Sequence, residues 1–326
     1  NKRPEGCQRS LDTLWTKRVD SESTMVARAV AELEAAPDTD LDALARKEAR
    51  WEDLLESDAY RHQKLVADAW CAAFFWPKLP GPQQDAAPTN DVWVQIRDRQ
   101  GQPSALTVDT TQELAEQYQF FHWHLAFPQV FARGGFDVVL GNPPWDTLSP
   151  DAKEFFSALV ENIRFQSKAQ QEATIERLLD DPSIAEAWRL NRRAIFATAA
   201  FLKDSGRFTL FAPGNLGKGD FNLYRLFVEL ALRLVRDGGW AAQVVPDGLY
   251  AGANSMAIRK ELFHRFRLDV LFGFENSRET WFPGVDSRAK FALYSAQRGG
   301  VTESFRAAFW IHSLVDLAAA RGEAGL

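Results

Sequence analysis

Between residues 21 and 62 the apolar positions recur at helical spacing: Val26, Val30 and Leu33, then Leu41, Leu44, Trp51, Leu54 and Leu55. Residues three and four apart share one face of a helix, so the spacing predicts two helices, broken where Ala36-Pro37-Asp38 interrupts the pattern. The positions between are rich in Ala, Glu and Arg, which reads as a helical hairpin with a solvated charged face. Pro77, Pro80, Pro82 and Pro88 follow in short order and predict a loop.

After Phe136 the pattern changes. Short runs of Val, Leu and Phe alternate with longer helical stretches, the signature of an α/β domain with a mostly parallel sheet. Residues 136–141 read as a buried strand. A helix is predicted over 223–235, with Leu223, Leu226, Phe227, Leu230 and Leu234 on its apolar face and Asp237-Gly238-Gly239 as its stop. A strand over 240–245, a helix over 258–266, and strands over 268–274 and 290–295 complete the alternation. No internal repeat or low-complexity segment is visible.

Composition narrows the class. The 326 residues are 46% hydrophobic and 25% charged, enough apolar material for one large domain or two ordinary ones. A net charge of −6 excludes nucleic-acid binding through bulk positive charge, so any such contact must be local. The acidity is mostly N-terminal, since residues 1–60 hold 9 Lys and Arg against 14 Asp and Glu. Cys7 and Cys71 stand far apart without a CxxC pair, which supplies neither a disulfide framework nor a thiolate metal site and fits a reducing, cytoplasmic setting. The longest apolar run, 65–76, contains Asp68 and falls short of the roughly 18 residues that span a bilayer.

The chemistry concentrates at one point. The strand 136–141 leads directly into Asn142-Pro143-Pro144-Trp145, at the carboxyl end of a strand, where open α/β sheets place their sites. Two successive prolines fix the backbone and remove two N–H groups, so the carbonyls there project without a neighbouring donor. Asn142 adds a side-chain acceptor and Trp145 a flat face. Together they form a receptor for a planar group that bears an NH₂. Other features are weaker. His122 and His124 lack a third ligand nearby and read as packing among Phe120, Phe121, Trp123 and Phe127, so no metal is expected. The stretch Gly214 to Asp220 resembles a phosphate loop but has the wrong spacing and no Ser or Thr after Lys218. Arg189, Arg192, Arg193, Lys203 and Arg207 form a local basic surplus, open to two readings, a solvated face or phosphate contacts.

The Asn142–Trp145 tetrapeptide resembles motif IV, the NPPW motif, of the amino-methylating, adenine-specific DNA methyltransferases with gamma-type motif order, found in large restriction-modification and phage-defence proteins. The aromatic segment 120–131 resembles the lead into that motif, 222–227 resembles motif V, and 238–246 the next glycine turn and strand. Phe274-Glu275-Asn276, Phe282-Pro283 and Lys290-Phe291 resemble the last two motifs, so the likeness runs in family order over 60–298. It implies a Rossmann-like S-adenosylmethionine-dependent methyltransferase sheet, a DNA partner and a base swung out of the duplex. Asn142 and the Pro143 carbonyl would accept the two amino hydrogens, with Pro144 fixing the turn. Trp145 and Phe282 would stack on the base, and Asn222, Tyr224 and Phe227 would wall the cofactor. Domains are then expected at 1–115 (helical region), 116–300 (catalytic part) and 301–326 (start of a following region), with defence-system proteins as further partners and no membrane.

One departure stands against this. The family's Gly-rich cofactor loop is absent upstream of Asn142, where Gly occurs only at 6, 81, 101, 134 and 135. With the non-Met start, the chain reads as an internal fragment whose sheet is incomplete on its N-terminal side, the loop lying before Asn1 and the target-recognition region after Leu326. Two other readings stay open: a non-catalytic methyltransferase-like module that binds DNA or a partner, and an enzyme acting on a protein glutamine or an RNA base.

Overall fold

The computed structural model describes residues 21–77, 80–211 and 221–322. Cys7 and the stretch 214–220 lie outside them. The predicted hairpin is present as α1 (Ser21–Ala35) and α2 (Leu41–Glu56), with α3 (Asp58–Phe75) following at once. Asp40 caps α2 by accepting from Ala43 N at 2.7 Å. Ser57 both ends α2 and starts α3: in extended backbone, its hydroxyl donates to Leu54 O at 2.6 Å and accepts from Tyr60 N. Val26, Val30 and Leu33 are buried, whereas Leu41 and Leu44 face outward. The stretch expected as a loop holds one helical turn, Pro82–Asp85, started by its proline, and Trp76 Nε1 at the end of α3 donates to Gln83 O at 2.6 Å. Two more helices, α4 (Asn90–Arg97) and α5 (Ala105–Gln117), pack on α3 and complete the helical part.

A buried carboxylate joins this part to the aromatic segment ahead of the sheet. Asp68 on α3 binds His122 Nε2 at 2.8 Å and Lys64 Nζ at 2.6 Å. The rings of Trp123, Phe127 and Phe131 in turn meet Phe136, the first residue of β1 (Phe136–Gly141), edge-on at 5.4 to 5.8 Å.

Past β1, the long helix α6 (Pro182–Asp204) leads toward α7 (Leu223–Leu234). The remaining elements are β2 (Val235–Pro246), α8 (Met256–His264), β3 (Phe266–Glu275), β4 (Lys290–Arg298), β5 (Arg306–Ile311) and α9 (Leu314–Ala320). The five strands form one sheet in the order β1-β2-β4-β3-β5. The fold is α/β as expected, Rossmann-like in the parallel crossover from β1 through helices to β2. The sheet is mixed rather than mostly parallel, because β4 enters antiparallel between β2 and β3. β5, within the stretch expected to begin a following region, pairs parallel with β3. The Asp237-Gly238-Gly239 stop is also corrected: α7 ends at Leu234, and β2 begins at Val235 and runs through the glycines. Gly239 sits where a Cβ would come within 2.8 Å of Asp137 O, so the close approach of β2 to β1 requires its missing side chain.

One sheet face, carrying Ala241, Val245, Leu268, Leu271, Ala292 and Tyr294, is buried under Tyr224, Val228 and Leu232 of α7 and Ile258 and Leu262 of α8. Phe227, expected on that face, is exposed, because α7 turns the side bearing Tyr224, Val228 and Ala231 to the sheet. The opposite face is covered at the β3–β5 side, where Val270, Phe272, Phe274, Phe291 and Ile311 pack with Trp145, Phe282 and Leu317.

His124, beside this junction, is held down to a pKa of about 4, first by burial and then by the charges of His122 and Arg207. The unfolded chain takes up this proton near 6.5, so between 6.5 and 4 the unfolded state binds it and the folded state does not. His124's stabilising contribution is complete above that window and lost as pH falls through it. His124→Phe should therefore flatten the dependence of Tm on pH between about 6.5 and 4. A slope equal to wild type in a melting series would refute this.

Candidate functional site

The site lies at the carboxyl end of β1. Asn142 and Pro144 are exposed, Pro143 is buried and Trp145 is half-buried. Trp145 Nε1 donates to Asn142 Oδ1 at 3.1 Å, so the acceptor at the head of the turn is occupied by the indole three residues on. The Trp145 ring lies 6.3 Å from Phe282 at 84° and 6.2 Å from Phe291 at 34°. Phe282 therefore closes edge-on over Trp145 from the loop between β3 and β4.

The chain after Trp145 runs beside the start of α7. Thr147 pairs with Asn222 in an antiparallel bridge, Leu148 N donates to Phe221 O at 2.8 Å and Leu223 N to Asp146 O at 2.9 Å. These bonds bring Asn222 next to the tetrapeptide, with its side-chain Oδ1 buried and without a partner. A buried acceptor left open is costly, so the atom is suited to a donor from a bound molecule. Tyr224 is not brought to an open surface: it is 3% exposed, its hydroxyl lies 3.3 Å from Ser255 Oγ, and burial raises its pKa. Phe227 stands on the outer side of α7, with Gln243 Nε2 donating to its carbonyl.

Several residues that hold the site were not singled out by pattern. Glu229 on α7 is fully buried and accepts from Thr209 N at 2.6 Å, Phe211 N at 2.8 Å and Arg233 at 2.8 Å, fixing the chain between α6 and α7. Gln243 accepts from the Tyr294 hydroxyl at 2.6 Å inside the sheet. Asn276, at the end of β3, is buried and bonds the backbone of the Phe282 loop. A Glu amid helical leucines is the sequence signal for Glu229, while Gln243 and Asn276 fall in stretches that resemble family motifs without a role being assigned to either. In the basic surplus, Arg189 is paired with Glu186, and Arg192 lies over the Trp188 and Phe196 rings. Burial pushes the Cys71 thiol up to about 12, so it stays protonated. Among the described residues no group of three or more His, Cys, Asp or Glu could hold a metal, and no helix is long and apolar enough to cross a membrane.

Residues 40–176, which include Asn142 through Trp145, match the family described as Eco57I restriction-modification methylase. That is less than half of the chain. No curated protein matches it. Among solved structures, a modification subunit of a putative type I restriction enzyme from Vibrio vulnificus YJ016 is similar at 15% identity, over 83% of this chain and 53% of that one, with a TM-score of 0.29. The chain thus spans about half the length of that subunit. A putative class I S-adenosylmethionine-dependent methyltransferase from Listeria monocytogenes is similar at 12% identity over 96% of this chain and 86% of that one, TM-score 0.32. The type I restriction enzyme EcoKI M protein is similar at 12% identity, over 87% and 69%, TM-score 0.24. Likeness at this level says nothing of activity.

Glu229→Ala should cost about 3 kcal/mol, since it leaves two backbone donors and Arg233 without their buried acceptor. Urea unfolding checks this. A loss under about 1 kcal/mol, the scale of an exposed pair, would mean that the carboxylate is not the anchor.

Proposed function

We propose that this chain carries the base pocket of a restriction-modification DNA methyltransferase that transfers a methyl group to the exocyclic amino nitrogen of adenine. The observation that carries the reading is the placement of an exposed Asn142 acceptor at the end of a parallel strand, with Trp145 beside it and Phe282 opposite. The match of residues 40–176 to restriction-modification methylases supports it.

An adenine amino group offers two hydrogens. Accepted by Asn142 Oδ1 and the Pro143 carbonyl, they hold the nitrogen out of conjugation with its lone pair free for in-line attack. No covalent enzyme intermediate is needed, because positioning supplies the catalysis. In the resting arrangement the indole N–H occupies Asn142 Oδ1. The incoming amine replaces that donor, which frees Trp145 to lie flat on the base while Phe282 closes the other face. S-adenosylmethionine supplies the methyl group when bound. The open Asn222 Oδ1 and the exposed Phe227 ring fit one wall of its site, with Tyr224 behind them as core. DNA is the partner, joined by defence-system proteins in a cytoplasmic assembly.

In the full-length protein, Asn142→Ala should lower methyl transfer at least about a hundredfold, the scale for removing one preorganised polar contact to a reacting group. Mass spectrometry of the DNA should show N6-methyladenine as the wild-type product. Trp145→Phe keeps a stacking face but removes the competing N–H, so it should retain turnover and bind DNA with an extruded target at least as tightly as wild type. Trp145→Ala should weaken that binding by roughly 1–3 kcal/mol, the range for base–aromatic stacking. Wild-type turnover by Asn142→Ala would overturn the assigned role.

A further inference from the structure

The loop that carries Phe282 holds one 3-10 turn, Ser277–Glu279, ahead of it, and the ring itself lies outside that turn, against Trp145 and Phe291. Arg278 and Glu279, neither of them glycine, adopt left-handed backbone at φ 56° and 55°. Such positions persist only where their surroundings over-determine them. We propose that the Asn276 side-chain amide is that determinant, a positioning residue that sets Phe282 opposite Trp145 and acts on methyl transfer through that ring. The inference rests on the base-pocket reading above.

Asn276 is fully buried at the end of β3. Its Oδ1 accepts from Trp281 N at 3.1 Å and Phe282 N at 2.9 Å. Its Nδ2 donates to Phe282 O and Val285 O, each at 3.0 Å. The N–H and C=O of Phe282 thus both end on one planar amide, which fixes where its Cα points the ring. The Asn276 backbone N–H closes the loop on Ala289 O at 2.9 Å. Only a primary amide offers two donors and an acceptor at this length. A carboxylate keeps the acceptors but turns an oxygen toward two carbonyls. The adjoining Trp281 is anchored independently, with its ring 5.1 Å from Phe274 and its indole N–H on Ile311 O at 3.3 Å. Replacing Asn276 should therefore release Phe282 without freeing the loop from the sheet.

The test compares Asn276→Asp and Asn276→Ala in the full-length protein, with a fluorine label on the Phe282 ring read by ¹⁹F NMR. Wild type should give one line displaced by the neighbouring rings, and either variant a line collapsed toward the free-ring position, while the melting transition remains cooperative. Asn276→Asp should lower kcat/KM for methyl transfer at least tenfold with KM for S-adenosylmethionine unchanged. In a Phe282→Ala background the same substitution should cost no further activity, because the ring through which it acts is gone. A fluorine line in folded Asn276→Asp that stays at the wild-type position, or additive losses in the double variant, would overturn the proposal. If Phe282→Ala alone left transfer unchanged, the base-pocket reading would fail, and with it the claim that Asn276 acts on transfer. The fluorine line would still decide whether Asn276 sets the ring.

Discussion

The site stands on the packing of one ring. Phe291, the second residue of β4, lies opposite Pro246 on one side and Phe274 on the other, and is nearly excluded from solvent. It stacks on Phe274 at 4.8 Å and 3°, meets Phe282 edge-on at 5.0 Å and supports Trp145 from below. Its position is dictated by two hydrogen-bonded ladders, so both aromatic walls inherit the register of the sheet. The orientation this gives Trp145 also decides whether the Asn142 oxygen is occupied or open. Sheet register, ring packing and acceptor availability are here one chain of cause, and a shift of β4 would disturb all three.

Polar groups buried away from the rim do the complementary work of fastening backbone. Asp68 ties the aromatic lead segment to α3, Glu229 fastens the chain between α6 and α7, and the amide of Asn276 gathers the β3–β4 loop. Each is satisfied by several partners, the condition under which a buried polar group specifies a conformation instead of weakening it. Among the described N-terminal residues, most of the acidic side chains of α2 face solvent instead.

How far the sequence discloses this differs by element. The bounds of the strand Phe136–Gly141 are legible because Gly134 and Gly135 punctuate its start and prolines its end, but the burial expected of it is not found: Val138 and Leu140 are exposed, because β1 is the edge strand of the sheet. The Asn-Pro-Pro-Trp turn is legible because its residue types are unusual together. The facing of α7 is not: it is apolar on more than one side, with Tyr224, Val228 and Leu232 competing against Leu223, Phe227 and Leu230, and periodicity alone does not say which side meets the sheet. Phe227 consequently stands outside where the pattern put it on the buried face, and Tyr224, which the family likeness put at the cofactor wall, is core. Alternation of strands and helices suggests parallel pairing, but β3 and β4 are joined by the loop 276–289 without a crossover helix and so run antiparallel. Asn276 is a single polar letter after a strand, and its role emerges only once the loop has folded around it.

The place of β4 has one more consequence, for the order of assembly. β2 and β3 precede it in the chain yet never pair with each other, because β4 is the strand between them. During synthesis β1 and β2 can find one another through a long crossover, but the sheet has no means of joining its halves until Lys290–Arg298 has emerged. The β3–β4 pairing is the local one and forms first on entropic grounds. Docking of that hairpin onto β2 is then the late, slow event. It is also what brings Phe282 to Trp145, so the contacts around the proposed base pocket require that docking.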